Sequence, residues 1–286
     1  GGSSSTVYYL NATSESITMT ASDAASSLTT ATLNVSTGPD RLIVAGDVEF
    51  KSGTCQAYTI TSKDTAGNVK NVLTLTTIDL SDGLATGDFY SNNTCTTSIA
   101  QASIAAGNNT ATVYFKNTKA EAITLSAADS ASSLTAGTLS ITSGPDHLVL
   151  AGSSTFNAGS CQAYTITSKD SDGTTANVLN NTAIDLSDGA ASGAFYSNNT
   201  CTSGITQTSM DSGASTATVY YKNNSAESVT FTAADNPPTL RAHQLDVTHH
   251  LFQMPARVQR TLLGRFIQRI ADLQRPHSCH EFIDEA

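Results

Sequence analysis

Tryptophan is missing from this 286-residue chain, methionine occurs three times, and charged residues make up only 13 % of it. No run of about 18 apolar residues exists, which excludes a membrane-crossing helix. Basic residues are scarce over most of the length. Residues 1–238 hold seven Lys and one Arg against 19 acids. A body this acidic lacks the basic stripe of a nucleic-acid-binding array. Histidine is scarcer still: only His147 lies in 1–238, at the position where an equivalent segment carries Arg41. A hydrolase triad needs a histidine base, and a base would not be confined to one copy beside an interchangeable Arg. His147 therefore reads as an exposed strand-edge residue. No nucleophile–base pair, phosphate loop or metal-ligand spacing is found in either copy. The expectation is a non-enzyme with no catalytic, cofactor-binding or metal residues.

What the chain does have is a repeat of 106 residues. CQAYTITSKD at 55–64 returns at 161–170, IDLSDG at 78–83 returns at 184–189, and FYSNNTCT at 89–96 returns at 195–202. A fixed period without insertions means tandem structural units. A third, partial copy precedes them: SITMTASD at 16–23 corresponds to AITLSAAD at 122–129 and SVTFTAAD at 228–235. The expected domains are 1–31 as the last strands of a truncated repeat, then repeats 32–137 and 138–238. With no initiator Met and no signal peptide, the chain is expected to be a piece of a longer array. After Asp235 the expected SASSLTAGTL is replaced by NPPTLRAHQL, and nothing downstream returns to register.

Each repeat alternates apolar and polar residues, the pattern of half-buried strands. Seven segments show it: Leu42–Val44, Ala57–Thr61, Val72–Ile78, Phe89–Tyr90, Ser98–Ile104, Ala111–Phe115 and Ala122–Ala127. Turn chemistry separates them at Gly38-Pro39-Asp40, Asp64 to Asn68, Ser81-Asp82-Gly83 and Ala106 to Asn109, where Gly, Asn and Asp allow the chain to reverse. Seven short strands in about 100 residues describe an immunoglobulin-like antiparallel sandwich. The fold class is all-β: tandem sandwiches, with a short helical or disordered C-terminal tail.

The cysteines keep the same period. Cys55 and Cys95 lie 40 residues apart, as do Cys161 and Cys201. One pair per module in an extracellular-looking composition reads most simply as one disulfide per module. The other reading is two buried free thiols per unit.

Together these residues resemble a known family. The strand entering Lys63-Asp64-Thr65-Ala66-Gly67-Asn68, and the closing strands Ala111–Asn117 and Ala122–Asp129, look like the bacterial Ig-like domain of the invasin and intimin type (Big-1). The resemblance covers residues 1–238. The paired cysteines depart from that family's pattern, and so does Thr174 in place of Asn68. What the resemblance implies is a stalk or adhesive module of a bacterial surface protein. Its location would be extracellular or on the outer membrane, with no membrane insertion in this fragment. Its partners would be neighbouring Ig-like repeats and, in the alternative reading, a cell-surface protein or glycan receptor that a repeat itself binds.

Other candidates have plainer explanations. Asp40, Asp64, Asp79 and Asp82, with Asp146, Asp170, Asp185 and Asp188, cluster in turns and could offer oxygens to calcium at module junctions. No dense D-x-D-x-D spacing accompanies them, and turn-forming Asp accounts for their places. Asn11, Asn34, Asn92, Asn108, Asn180, Asn198 and Asn223 begin N-x-S/T sequons, meaningful only in a glycosylating host. Tyr8, Tyr114 and Tyr220 occupy equivalent strands and read as packing residues. Two stretches differ most between copies and would mark a binding face: Asp47–Thr54 against Ser153–Ser160, and Thr97–Asn109 against Ser203–Ser215.

Residues 239–286 change character. They hold six of seven Arg and five of six His, with no Lys, Asn or Tyr. Val258, Leu262, Leu263, Phe266, Ile267, Ile270 and Leu273 fall on one helical face. A partner-binding helix, a surface-binding amphipathic helix and a shifted or mis-joined reading frame remain three open readings of an unrelated tail. Cys279 is expected to be free, and His277 and His280 with His249 and His250 do not form a paired metal motif.

Overall fold

In the computed structural model, residues 4–83, 86–189, 192–238 and 240–250 are described. A first hairpin joins β1 (Ser16–Ala21) to β2 (Ala31–Ser36). Ten strands follow: β3 (Arg41–Gly46), β4 (Glu49–Lys51), β5 (Gln56–Lys63), β6 (Thr76–Ser81), β7 (Gly87–Tyr90), β8 (Ser98–Ile99), β9 (Gln101–Ile104), β10 (Thr110–Asn117), β11 (Ala122–Asp129) and β12 (Gly137–Gly144). They form two five-stranded sheets, ordered β3-β5-β10-β7-β8 and β4-β12-β11-β6-β9.

The second copy repeats the set: β13 (His147–Gly152), β14 (Thr155–Asn157), β15 (Gln162–Lys169), β16 (Thr182–Ser187), β17 (Gly193–Tyr196), β18 (Gly204–Ile205), β19 (Gln207–Met210), β20 (Thr216–Asn223), β21 (Ser228–Asn236) and β22 (His243–His250). Its sheets run β13-β15-β20-β17-β18 and β14-β22-β21-β16-β19, the same orders. Pairing is antiparallel except at one edge of each module, where β12 meets β4 and β22 meets β14 in parallel. This is the all-β sandwich that the alternation implies.

The period-2 pattern decides what is inside. Along β5, Tyr58, Ile60 and Ser62 are buried, while Ala57 and Thr59 face solvent. Each core is a single cluster between its two sheets. In the first, Phe115 is fully buried and meets Phe50, Tyr58 and Phe89. In the second, Tyr221 and Phe231 replace Phe115 and Leu125, with ring centroids 4.4 Å apart. The added hydroxyl is satisfied: Tyr221 Oη donates to Asp188 Oδ2 at 2.7 Å. Burial, helped by that carboxylate, drives the Tyr221 phenol above its ordinary pKa. Tyr58 and Tyr164 donate to the carbonyls of Asp47 and Ser153, and burial pushes each to about 12. Glycine is required where these rings reach the neighbouring strand. A Cβ at Gly193 would stand 1.7 Å from Tyr221 Oη.

Four details differ from the sequence reading. Val72 is buried in the core, but its amide and carbonyl bond Asn108 and Gly107 in a loop, so the ladder begins only at Thr76. The segment Ser98–Ile104 is two strands: β8 pairs with β7 in one sheet and β9 with β6 in the other. The short β4 and the Gly-bounded β12 carried too little alternation to be counted among seven strands.

The boundaries also move. An edge at 137/138 falls at the head of β12, which pairs with β11 and β4 of the first sandwich over 137–144. At the other end the repeat continues past Asp235. Leu240, Leu245 and Val247 take the places of Leu134, Leu139 and Ile141, and β22 closes the second sandwich as β12 closes the first. Register therefore persists to 250, because β22 needs only apolar residues at two inward positions. We propose folding units of 39–144 and 145–250, with Pro-Asp at each start, directly after Gly38 and Gly144. The helical face from Val258 to Leu273, Cys279 and the histidines at 277 and 280 lie outside the described residues.

Candidate functional site

The residues with the most specific geometry are at the junction of the two sandwiches. The Lys-Asp turn at the end of β15 builds one side of it. Asp170 Oδ1 accepts from the amide of Thr174 at 2.8 Å, closing the turn, and Gly173 takes positive φ at its tip. The second oxygen turns outward. Asp170 Oδ2 accepts from the amide of Ala120, in the loop joining β10 to β11 of the preceding sandwich, at 3.4 Å. Around it Ser171 donates its amide to Ser52 Oγ at 3.0 Å, Thr118 Oγ1 donates to Asp172 Oδ2 at 3.1 Å, and Asn180 donates to Glu49 Oε2 at 3.0 Å.

An ion cluster sits beside this seam. Asp146 is buried and has Lys51 Nζ at 3.5 Å, His147 Nδ1 at 3.1 Å and the Arg241 guanidinium as partners. A cleft of about 210 Å³ between the modules is lined by Phe50, Pro145, Val178, Leu179 and Leu240. Contact there is close enough to limit side-chain size. A Cβ at Gly144 would lie 2.9 Å from Leu179, and one at Gly53 would lie 2.5 Å from Ser171 Oγ.

The same contact occurs one period earlier. The Ser14 amide donates to Asp64 Oδ2 at 3.4 Å, and Asn68 closes the Asp64 turn at 2.9 Å. Burial pushes the Asp64 carboxyl up, but the hydrogen bonds from Asn68 and Ser14 outweigh it and hold it below its usual range. Gly38 stands against Leu73 as Gly144 stands against Leu179. The motif that marks a turn in the sequence is thus also the contact to the preceding unit. One bond serves the turn, the other the neighbour, and sequence alone shows only the first role.

The structure places the other singled-out residues as follows. Cys55 and Cys95 are bonded, as are Cys161 and Cys201, each pair with Cα atoms 5.8 Å apart. Each bridge ties the head of β5 or β15 to the Asn-Asn-Thr loop, whose turn is set by the amide of Thr96 or Thr202 bonding the Asn92 or Asn198 side chain. Cys55 is two residues from Gly53, so its bridge braces the loop that meets Ser171. His147 lies on the edge strand β13 but is half-buried against Asp146, not free in solvent. The eight Asp residues have separate partners, and not all are at turns: Asp79 and Asp185 lie within β6 and β16 and accept from Gln101 and Gln207, whereas Asp82 follows β6 and accepts from the Gly87 amide. Asp40 pairs with Arg41. Tyr114 and Tyr220 are half-buried on the outer sheet face, opposite Tyr90 and Tyr196, whereas Tyr8 is 96 % exposed.

No family model matches the chain, and no curated protein does. Solved structures do. The adhesin InvE of Yersinia pseudotuberculosis is 18 % identical over 73 % of this chain and 58 % of that one, with a TM-score of 0.32. The D00-D0 domain of intimin is 14 % identical over 73 % of this chain and 99 % of that one, at 0.40. A family 2 β-glucuronidase is 14 % identical over 76 % of this chain and 21 % of that one, at 0.32. The chain thus spans little more than half of the InvE structure. None of these overlaps supplies a functional argument, and the sandwich stands on the strand pairing itself.

Proposed function

We propose that this chain is a non-catalytic stalk section of a bacterial cell-surface or secreted adhesin. The observation that carries this reading is the junction at Asp64 and Asp170. The same residue of successive units holds the unit before it, through the same backbone amide, one period apart. Units joined this way add length by copy number, as linear repeat arrays do. An acidic, polar surface supports the reading, because it keeps such an array soluble and apart from its neighbours. A disulfide in each unit fits an oxidising, extracellular setting.

The divergence of Asp47–Thr54 from Ser153–Ser160 also fits. Glu49, Lys51 and Ser52 meet the second sandwich, so a change there need not mark a receptor-binding face. The test is deletion of one unit, 39–144, from the surface protein that carries it. A stalk predicts shorter reach with adhesion partly retained. Complete loss of binding to a purified receptor, at unchanged surface display, would make the repeat itself the binding module.

A further inference from the structure

The two ends of a unit are different surfaces, and the second unit has kept only one of them. Its head carries the Asp170 turn, seated on the first unit. Its tail can be compared residue by residue with the tail of the first unit, because the period has no gaps. Where the first unit presents Glu49, Lys51, Ser52 and Thr118 to its neighbour, the second presents Thr155, Asn157, Ala158 and Asn224. The first three changes each remove a contact seen at the junction, and Asn224 puts an amide where Thr118 has its hydroxyl. Thr155 is too short to take the place of Glu49 against an Asn180-like donor. Asn157 has no charge for an Asp146-like carboxylate. Ala158 has no oxygen for a Ser171-like amide. Position 250 is His where Gly144 admits the Leu179 side chain, and a Cβ alone at Gly144 would already be 2.9 Å from that leucine.

The strands behind this surface are kept. Gln162–Lys169 in β15 repeats Gln56–Lys63 without change, and only one position of β20 differs from β10. The junction also covaries. The Thr118–Asp172 hydrogen bond has Ala12 and Ala66 at the equivalent positions one period earlier, so both partners differ together.

We infer that the Lys-Asp turn heading each unit is a docking surface whose partner is the tail of another copy of this repeat, and that the tail of the second unit has lost the matching half. The junction is thereby directional. The first unit accepts a unit of its own kind at both ends, and the second accepts one at its head only. The inference rests on the junction and not on what the array adheres to. Motion between units reports on it, whereas adhesion reports on the stalk reading, so the two can fail separately.

The test transplants the second tail onto the first in the full chain: E49T, K51N, S52A and T118N. The second unit itself folds with these residues, so they suit the sandwich. The readout is backbone ¹⁵N relaxation with residual dipolar couplings. In the native chain both sandwiches should report one alignment tensor and one rotational correlation time. In the variant the two tensors should separate and the correlation time of each sandwich should fall, with amide dispersion of both retained. A further variant carrying T155E, N157K and A158S should behave as native. Independent tumbling in the native chain would overturn the inference, and so would a single shared tensor in the transplanted variant. Should the fourfold variant lose its dispersed spectrum, K51N and S52A singly must each increase motion between units, and no increase in either would overturn it.

Discussion

Replacing Phe115 by alanine should destabilise the first sandwich by about 3–5 kcal/mol. The ring is fully buried and meets Phe50, Tyr58 and Phe89, so its removal strips edge contacts from three other aromatics at once. Little can move in to fill the space, since Phe115 lies on the central strand β10, paired on both sides. A sandwich of this size has a total stability of about 5–15 kcal/mol, so the loss would take a large share. Urea unfolding followed by amide resonances of each unit would show it. The first unit's midpoint should fall while the second's stays near native. A change under about 1 kcal/mol in the first unit would mean that its core is not organised around this ring.

The Cys161–Cys201 bridge should be worth nearly as much to the second unit. It closes 40 residues of sequence, which by loop entropy restricts the unfolded chain by roughly 4 kcal/mol. The double substitution Cys161→Ala and Cys201→Ala removes the bridge without leaving a lone thiol. Cys201 takes a positive φ of 49°, a cost that alanine shares, so the comparison isolates the cross-link. The expected loss is about 2–5 kcal/mol, confined to the second unit, with the first as an internal standard. Equal midpoints in native and variant protein would show that the two thiols are not joined in solution. Intact native protein should show no alkylation at Cys161 and Cys201 until it is reduced.

The sandwich was readable because its inward positions obey a strict rule. Tyr58, Ile60, Val113, Phe115, Ile123 and Leu125 alternate with outward residues, mostly Thr, Ser and Ala with Tyr114 and Lys116 in β10, and every one of the six is buried. Strands without that contrast were lost. β12 presents Leu139 and Ile141 among Gly, Thr and Ser, and its place in the first sandwich is fixed by β11, the strand before it, and by β4, far from it in sequence. The same weakness hid β22, where His243, Gln244 and Asp246 disguise a register that Leu245 and Val247 maintain. Composition changed there, while the two inward positions stayed apolar.

The junction was half legible. The sequence pattern marks Asp64 and Asp170 as turn residues, and their first oxygens do that work. The second oxygens reach Ser14 and Ala120, 50 residues away. No local pattern encodes that reach, because the donor is a backbone amide that any residue could supply. The signal that was present lay in the differences between copies. Glu49, Lys51 and Ser52 are among the positions that differ, and all three meet the neighbouring unit, a contact that a comparison of copies does not distinguish from a receptor-binding face.

The central claim is that residues 39–144 form a self-contained unit that stacks on its own kind. Solution scattering on chains with zero, one and two additional copies of 39–144, inserted between Gly144 and Pro145, tests it most directly. Each insertion keeps the native junction, Ala120 on Asp170, and adds one of Ala120 on Asp64, the turn that holds Ser14 in the native chain. The maximum dimension should rise by the same increment with every copy while the cross-sectional radius stays constant. A radius of gyration that instead grows only as roughly the 0.38 power of chain length, as one compact globule would, would contradict the account.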